Sequence, residues 1–253
     1  MTSFQLTDKI ILVNGGSRGI GEAFAREFGR RGATVIVASR KQDGVDAVAA
    51  AICADGGKAV GIACHTGDPA QIDALFARIE ADFGRLDGLV NNAATNPYFG
   101  PFIDAPESAF DKTFEVNVKG YFMMAQRAAR MMVKNEKGGS ILNIASIEGI
   151  SPSPMMAIYS MTKSAVIMLT KTIAKEMGGA NIRCNCICPG LTETKFAKVL
   201  IDTPEIRDEQ VGKTPLARHA QPEEMVGAAV YLMSDASSFT TGAILAVDGG
   251  AIV

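Results

Sequence analysis

The sequence predicts an α/β domain built on a doubly wound parallel sheet with helices on both faces. Three observations lead there. Short apolar runs, too short for helices, alternate with amphipathic helical patterns along the chain. The first run empties into a glycine-rich turn, Asn14-Gly-Gly-Ser-Arg-Gly-Ile-Gly21, that opens a helix. The 253 residues carry no repeat, low-complexity tract or interdomain linker, which fits a single domain over residues 1–253.

Lys9–Val13 reads as a strand buried on both faces, followed by the glycine-rich turn and a helical pattern over 22–32. Bare backbone N–H groups and the positive end of the helix dipole meet in that turn, a combination that favours a phosphate. Its glycines at 15, 19 and 21 differ in spacing from G-x-G-x-x-G. Ala33–Ala38 is the second strand and ends in Ser39-Arg40-Lys41. In a dinucleotide fold this strand end meets the adenosine ribose, and a carboxylate there would bond the free 2′-hydroxyl of NAD. Here a hydroxyl and two cations, with Arg18 as a third, match the 2′-phosphate of NADP(H) instead. A solvated basic turn is the other reading of the same residues.

The alternation continues with helix 45–54, strand 58–63, helix 70–83 and strand 86–90. That strand leads to Asn91-Asn92-Ala93-Ala94, small and amide-bearing residues suited to packing under an adenine or ribose. In the loop 95–101, Tyr98 and Phe99 either wall a substrate pocket or pin the loop. A helical tract over 107–134 carries Asn117 on an apolar face, where the pattern favours a satisfied core amide over a polar relay. Met123, Met124, Met131 and Met132 suit packing or a subunit interface.

Strand 140–145 closes at Ser146, thirteen positions before Tyr159. Tyr159 and Lys163 lie a turn apart on one face of the helix 157–177. A phenol ionises near pH ~10, and lowering that by three units needs about 4 kcal/mol, which a neighbouring ammonium would help to supply. The Ser146 hydroxyl, at the strand's C-terminal end, would hold a carbonyl oxygen while the phenol protonates it. Alone, Y-x-x-x-K is a common pattern and describes surface residues equally well.

Strand 182–188 places Cys184, Cys186 and Cys188 on one face. No matching histidine spacing accompanies them, so they read as small buried side chains, and no metal site is expected. Residues 195–218 interrupt the alternation, as a lid over the substrate spanning about 192–218 or as a plain exposed helical excursion. Helix 223–233 and strand 243–247 complete the chain. A net charge of −2 and 47% hydrophobic content give no reason to expect nucleic acid or an anionic membrane as partner. The first residues lack a signal-peptide pattern, and five cysteines suit a reducing compartment, taken as the cytoplasm.

In their order and spacing, NGGSRGIG, NNAA, Asn117, Ser146, YSMTK and PGLTET resemble the short-chain dehydrogenase/reductase family over nearly the whole chain. Ser39-Arg40-Lys41, Cys64-His65, the NP-x-FG loop and SPSP further resemble its tetrameric NADPH-dependent carbonyl reductases. The resemblance implies a Rossmann-type sheet of seven strands and a homotetramer associating through the helices 107–134 and 157–177. It makes Tyr159 the acid or base, with Lys163 on the nicotinamide ribose, Ser146 on the substrate oxygen and Asn117 holding a water relay to Lys163. Gly15, Ser17, Arg18, Gly19 and Ile20 would line the cofactor, with Asn92, Ala93, His65 and Thr66 on its adenosine half. Pro189, Gly190, Thr192 and Thr194 would hold the carboxamide. Phe99 and Met155 are expected at the substrate.

Departures from the family pattern are Asn14 for threonine, Ala94 for glycine, and His65-Thr66 for Asp-Val. The last leaves open the usual carboxylate contact to the adenine amino group. The expected activity is hydride transfer between NADP(H) and a ketone, aldehyde or secondary alcohol. Reduction of a 3-oxoacyl carrier protein shares every motif, and a dinucleotide-sensing protein without chemistry is the reading from another class.

Overall fold

A computed structural model describes residues 3–135 and 137–253. Seven strands form one parallel sheet: β1 (Ile10–Asn14), β2 (Thr34–Ser39), β3 (Lys58–Ala63), β4 (Gly88–Asn91), β5 (Gly139–Ile144), β6 (Ile182–Pro189) and β7 (Ile244–Val247). Their order is β3-β2-β1-β4-β5-β6-β7. The chain winds outward from β1 through β2 to β3, then crosses back to β4 and winds the other way. The reversal leaves a crevice at the C-terminal ends of β1 and β4, where doubly wound sheets bind their ligands.

The strands are apolar runs because both faces are covered. Ile11 and Val13 pack with Phe24 and Phe28 of α1 (Gly19–Arg30), Val45 and Ile52 of α2 (Gln42–Ala54), and Val230 and Met233 near the C-terminus. Leu12 points the other way, into a layer with Ile72 and Ile79 of α3 (Pro69–Phe83). Each fully buried side chain of this size contributes roughly 1.5–3 kcal/mol. The edge strands β3 and β7 are only partly buried. The start of α3 is written plainly in the sequence: Asp68 caps it by accepting the N–H groups of Ala70 and Gln71, and Pro69 opens its first turn.

The expected helix over 107–134 is interrupted. It comprises α4 (Glu107–Phe114), a π-helical turn Glu115–Gly120 and α5 (Tyr121–Lys134). The wider turn carries Asn117 inward, and such turns gather at functional sites. The Tyr159 helix, α6, spans Ala157–Met177 as expected. The excursion after β6 holds two short helices, α7 (Lys198–Asp202) and α8 (Pro204–Gly212), neither with a buried residue. Its neck is closed by Glu193 N–H to Ala220 O at 2.8 Å and Ala220 N–H to Leu191 O at 2.9 Å. The helix expected over 223–233 begins as a 3-10 turn, Pro222–Met225, before α9 (Val226–Met233). No helix among the described residues is long and apolar enough to cross a membrane.

Candidate active site

β5 and α6 bring the candidate residues Ser146, Tyr159 and Lys163 together at the C-terminal end of the sheet. Tyr159 and Lys163 are 7% and 1% exposed. The Lys163 ammonium donates to the Ile144 carbonyl at the end of β5, at 2.9 Å, and lies 5.4 Å from the centre of the Tyr159 ring. Ser146 follows two residues later, close enough to the phenol for its hydroxyl to favour ionisation there. Its oxygen also accepts the Glu148 N–H at 3.2 Å.

The electrostatics correct one expectation. In the protein alone, burial pushes the Tyr159 phenol upward, with the nearby Ser146 hydroxyl opposing this and the Glu148 charge adding to it. Burial also lowers Lys163 from 10.5 to about 8. Desolvation of both groups outweighs the attraction expected to lower the phenol, so the phenol holds its proton at neutral pH. Cys186 and Cys188 lie nearby, fully buried, with their sulfurs 3.9 Å apart. No group of three or more His, Cys, Asp or Glu that could hold a metal occurs among the described residues.

Asn117 is buried and fully engaged. It accepts the Thr95 N–H at 2.9 Å and donates to Thr95 O at 2.9 Å and to the Thr162 hydroxyl at 3.1 Å. Its side chain thus ties the loop after β4 to α6, and no direct hydrogen bond joins it to Lys163 among the described residues. This is the satisfied core amide that the pattern favours.

The glycine-rich turn is shaped for a close ligand. Gly15 has φ +82°, and a Cβ there would stand 2.5 Å from the Ala93 nitrogen, so only glycine fits. Gly15 and Gly16 donate to Ala38 O at 2.7 and 3.2 Å, and the Asn92 amide donates to Gly15 O at 2.9 Å. No side chain caps the start of α1 at Arg18, so the N–H groups of its first turn, Gly19 and Ile20 among them, have no side-chain capping partner there. A dinucleotide diphosphate fits this cradle. The Ser39 hydroxyl donates to Ser17 at 2.9 Å and joins the β2 end to the turn. Arg18, Arg40 and Lys41 have no carboxylate at ion-pair distance among the described residues, although thirteen other Lys and Arg side chains do.

His65 and Thr66 face different ways. The Thr66 hydroxyl turns inward to Asn14 at 3.0 Å, while the half-buried His65 accepts the Gly67 N–H at 2.9 Å. Beyond β6, Gly190 donates to Val247 O at 3.1 Å and Thr192 to Gly190 O at 3.0 Å, fixing the Pro189 turn. The Thr194 methyl lies over Gly19.

At the outer edge, Tyr98 pins its loop by donating to Pro101 O at 2.8 Å, while Phe99 and Met155 stay 37% and 43% exposed. Gly100 N–H bonds Met155 O at 3.1 Å and joins their two loops.

Two residues here escaped the sequence reading. The buried Tyr121 donates to Ile144 O at 3.1 Å, sharing that carbonyl with Lys163. It stands four residues after Asn117, a spacing that hinted at a common face. Phe196, from the excursion, packs against the Tyr159 ring at 5.7 Å between centres. No local pattern marked it.

A family model described as enoyl-(acyl carrier protein) reductase matches residues 15–251. The chain is 38% identical over 245 residues to human dehydrogenase/reductase SDR family member 4, covering 97% of this chain and 88% of that protein. A gluconate 5-dehydrogenase from Burkholderia cenocepacia, solved with NADP and tartrate, superposes with a TM-score of 0.94 at 33% identity, over 98% of this chain and 96% of that one. A 7α-hydroxysteroid dehydrogenase, solved with NADH and 7-oxo glycochenodeoxycholic acid, gives 0.93 at 35% identity over 98% and 95%. With the seven-stranded order, the glycine cradle and the Ser-Tyr-Lys cluster on the page, these likenesses establish that the chain belongs to the short-chain dehydrogenase/reductase family of oxidoreductases.

Proposed function

We propose that this protein is an NADP(H)-dependent oxidoreductase that interconverts a ketone or aldehyde and an alcohol. The observation that carries the reading is the buried Tyr159 phenol beside the Lys163 ammonium, with Ser146 at the end of the strand whose Ile144 carbonyl holds that ammonium. A nicotinamide dinucleotide, when bound, gives or takes the hydride. In reduction, Ser146 holds the carbonyl oxygen and Tyr159 hands it a proton; in oxidation, Tyr159 removes the proton from the alcohol. Lys163 uses one of its three N–H groups on Ile144 and offers the others to the ribose hydroxyls. With its side chain fully engaged, Asn117 contributes to a water relay to Lys163 only through the main chain of its π turn. The excursion 192–218 acts as a lid, with Phe196 above the phenol.

The cofactor assignment rests on chemistry at the β2 end. Ser39, Arg40, Lys41 and Arg18 present one hydroxyl and three cations with no ion-pair partner among the described residues, which suits a 2′-phosphate. Gly15, Ser17, Gly19 and Ile20 cradle the diphosphate. Asn92, Ala93, His65 and Thr66 flank the adenosine, Thr66 through its backbone because its hydroxyl is engaged inside. Pro189, Gly190, Thr192 and Thr194 orient the carboxamide. The NADP-bound and NADH-bound relatives support a nicotinamide dinucleotide in general.

Apolar side chains exposed along α5 and α6, Phe122, Val133, Met161 and Met168, support a homotetramer. Five free cysteines support a cytoplasmic location.

The test is Tyr159→Phe assayed with NADPH against a panel of ketones, aldehydes and 3-oxoacyl thioesters. NADPH binding should persist while turnover falls by about 10²–10⁴-fold. Turnover near the wild-type rate refutes Tyr159 as the proton donor. Tight NADPH binding by the wild type with no turnover on any substrate would favour a sensor, and turnover confined to the thioesters would favour carrier-protein reduction.

A further inference from the structure

One carboxylate at this site has no part in the roles above. Glu148 stands two residues beyond Ser146, in the 3-10 turn Ile147–Gly149. One of its oxygens accepts the Ser153 N–H at 2.8 Å and the Ser160 hydroxyl at 3.1 Å; the other accepts the Ser153 hydroxyl at 2.6 Å. Ser153 belongs to the loop that carries Met155. Ser160 is 5% exposed and follows Tyr159 on α6. The backbone N–H of Glu148 donates to the Ser146 oxygen. A single residue therefore touches the strand-end hydroxyl, the substrate-side loop and the helix of the phenol.

Its seat is rigid. A Cβ on Gly149 would stand 2.6 Å from the carbonyl carbon of Lys163, so the turn lies directly on the backbone of α6. The Ser164 hydroxyl holds Gly149 O there at 2.8 Å. At the far end of the loop, Met155 takes φ +67°, a left-handed conformation that costs a non-glycine residue about 1–3 kcal/mol. Such a residue persists only where its neighbours over-determine it. Glu148 holds the loop at Ser153, and Gly100 holds it at the Met155 carbonyl.

We propose that Glu148 is a positioning residue for the reaction: its carboxylate fastens the Met155 loop to the Tyr159 helix, and its N–H aims the Ser146 hydroxyl. This rests on Tyr159 being the proton donor. Because the Ser146 oxygen accepts from Glu148, the Ser146 proton is left for the phenol or the substrate oxygen. The charge acts as well. The phenol is faced by Glu148 from the turn, Lys163 from its own helix, Tyr121 from α5 and Cys188 from β6, and the Glu148 charge opposes its ionisation.

The experiment compares kcat/KM against pH, in both directions, for the wild type, Glu148→Gln, Glu148→Ala and Tyr159→Phe. Glutamine keeps the shape and much of the hydrogen bonding but removes the charge. The limb of alcohol oxidation that rises with pH should then move down by roughly half to one pH unit. Alanine releases the loop, so KM for the carbonyl substrate should rise about 10-fold or more while the NADPH Kd stays within about twofold, because the cradle is untouched. A glutamine variant whose limb coincides with the wild type, or an alanine variant with wild-type KM, overturns the proposal. The glutamine arm remains readable if the alanine variant does not fold. An active Tyr159→Phe enzyme refutes the proton donor itself; an inactive one beside unmoved Glu148 variants refutes only the positioning.

Discussion

Replacing Lys163 with methionine should remove a specific pH dependence from the stability of the fold. The ammonium is 1% exposed, and burial lowers its pKa from 10.5 to about 8. At about 1.4 kcal/mol per pH unit, burying the charged form costs roughly 3 kcal/mol. The unfolded chain keeps this proton up to pH 10.5, whereas the folded chain releases it near 8. Between those values the unfolded state binds more protons, so stability rises with pH. The cost is carried in full below pH 8, and about 2 kcal/mol of it is relieved between pH 8 and 10. Tyr121 and Tyr159 have folded pKa values raised by burial and withdraw stability above about pH 10, which closes the window. The Cys64 thiol, raised from 9.0 to about 11, works against the rise in both proteins, so the difference between them is the quantity to read. Methionine fills the site with apolar volume, and Ile144 O keeps the Tyr121 hydroxyl as donor. The chain has no tryptophan, so urea unfolding is best followed by far-UV circular dichroism, without dinucleotide, at pH 8, 9 and 10. Curves whose pH dependence is parallel in the two proteins would refute the assignment of that cost to Lys163.

Two further outcomes follow from the same surfaces. Arg40→Asp should weaken NADPH binding at least about 10-fold more than NADH binding, read by fluorescence titration of each, and equal losses would mean that Arg40 does not meet a phosphate. Wild-type protein should sediment at about four times the 26.6 kDa chain mass, and Phe122→Asp with Met168→Asp should reduce that; a wild-type monomer at micromolar concentration rules out the tetramer.

The sheet was legible because strands covered on both faces must be apolar throughout, and Ile11-Leu12-Val13 or Ile141-Leu142 can hardly be read otherwise. The Tyr159–Lys163 pair was legible because helical period alone puts them on one face. The interruption at Glu115–Gly120 was not, since a π turn is imposed by what Asn117 must reach, Thr95 and Thr162, and those lie far away in sequence. The direction of the Tyr159 pKa was missed for a related reason. Spacing shows that a lysine is near, while burial, which acts on both groups, exists only once the core has closed. Glu148 sat in plain view two residues after Ser146, but its partners Ser153 and Ser160 become neighbours only when the loop folds back.

The Ile144 carbonyl receives both the Lys163 ammonium and the Tyr121 hydroxyl. That acceptor belongs to the main chain, so exchanging the isoleucine for another amino acid leaves it in place. The lysine is thereby moored to a fixture that substitution can hardly erase, one step along the chain from the sheet's own hydrogen bonds. Drift in the surrounding loops can reshape what lies around the crevice while Lys163 and Tyr121 stay where β5 sets them.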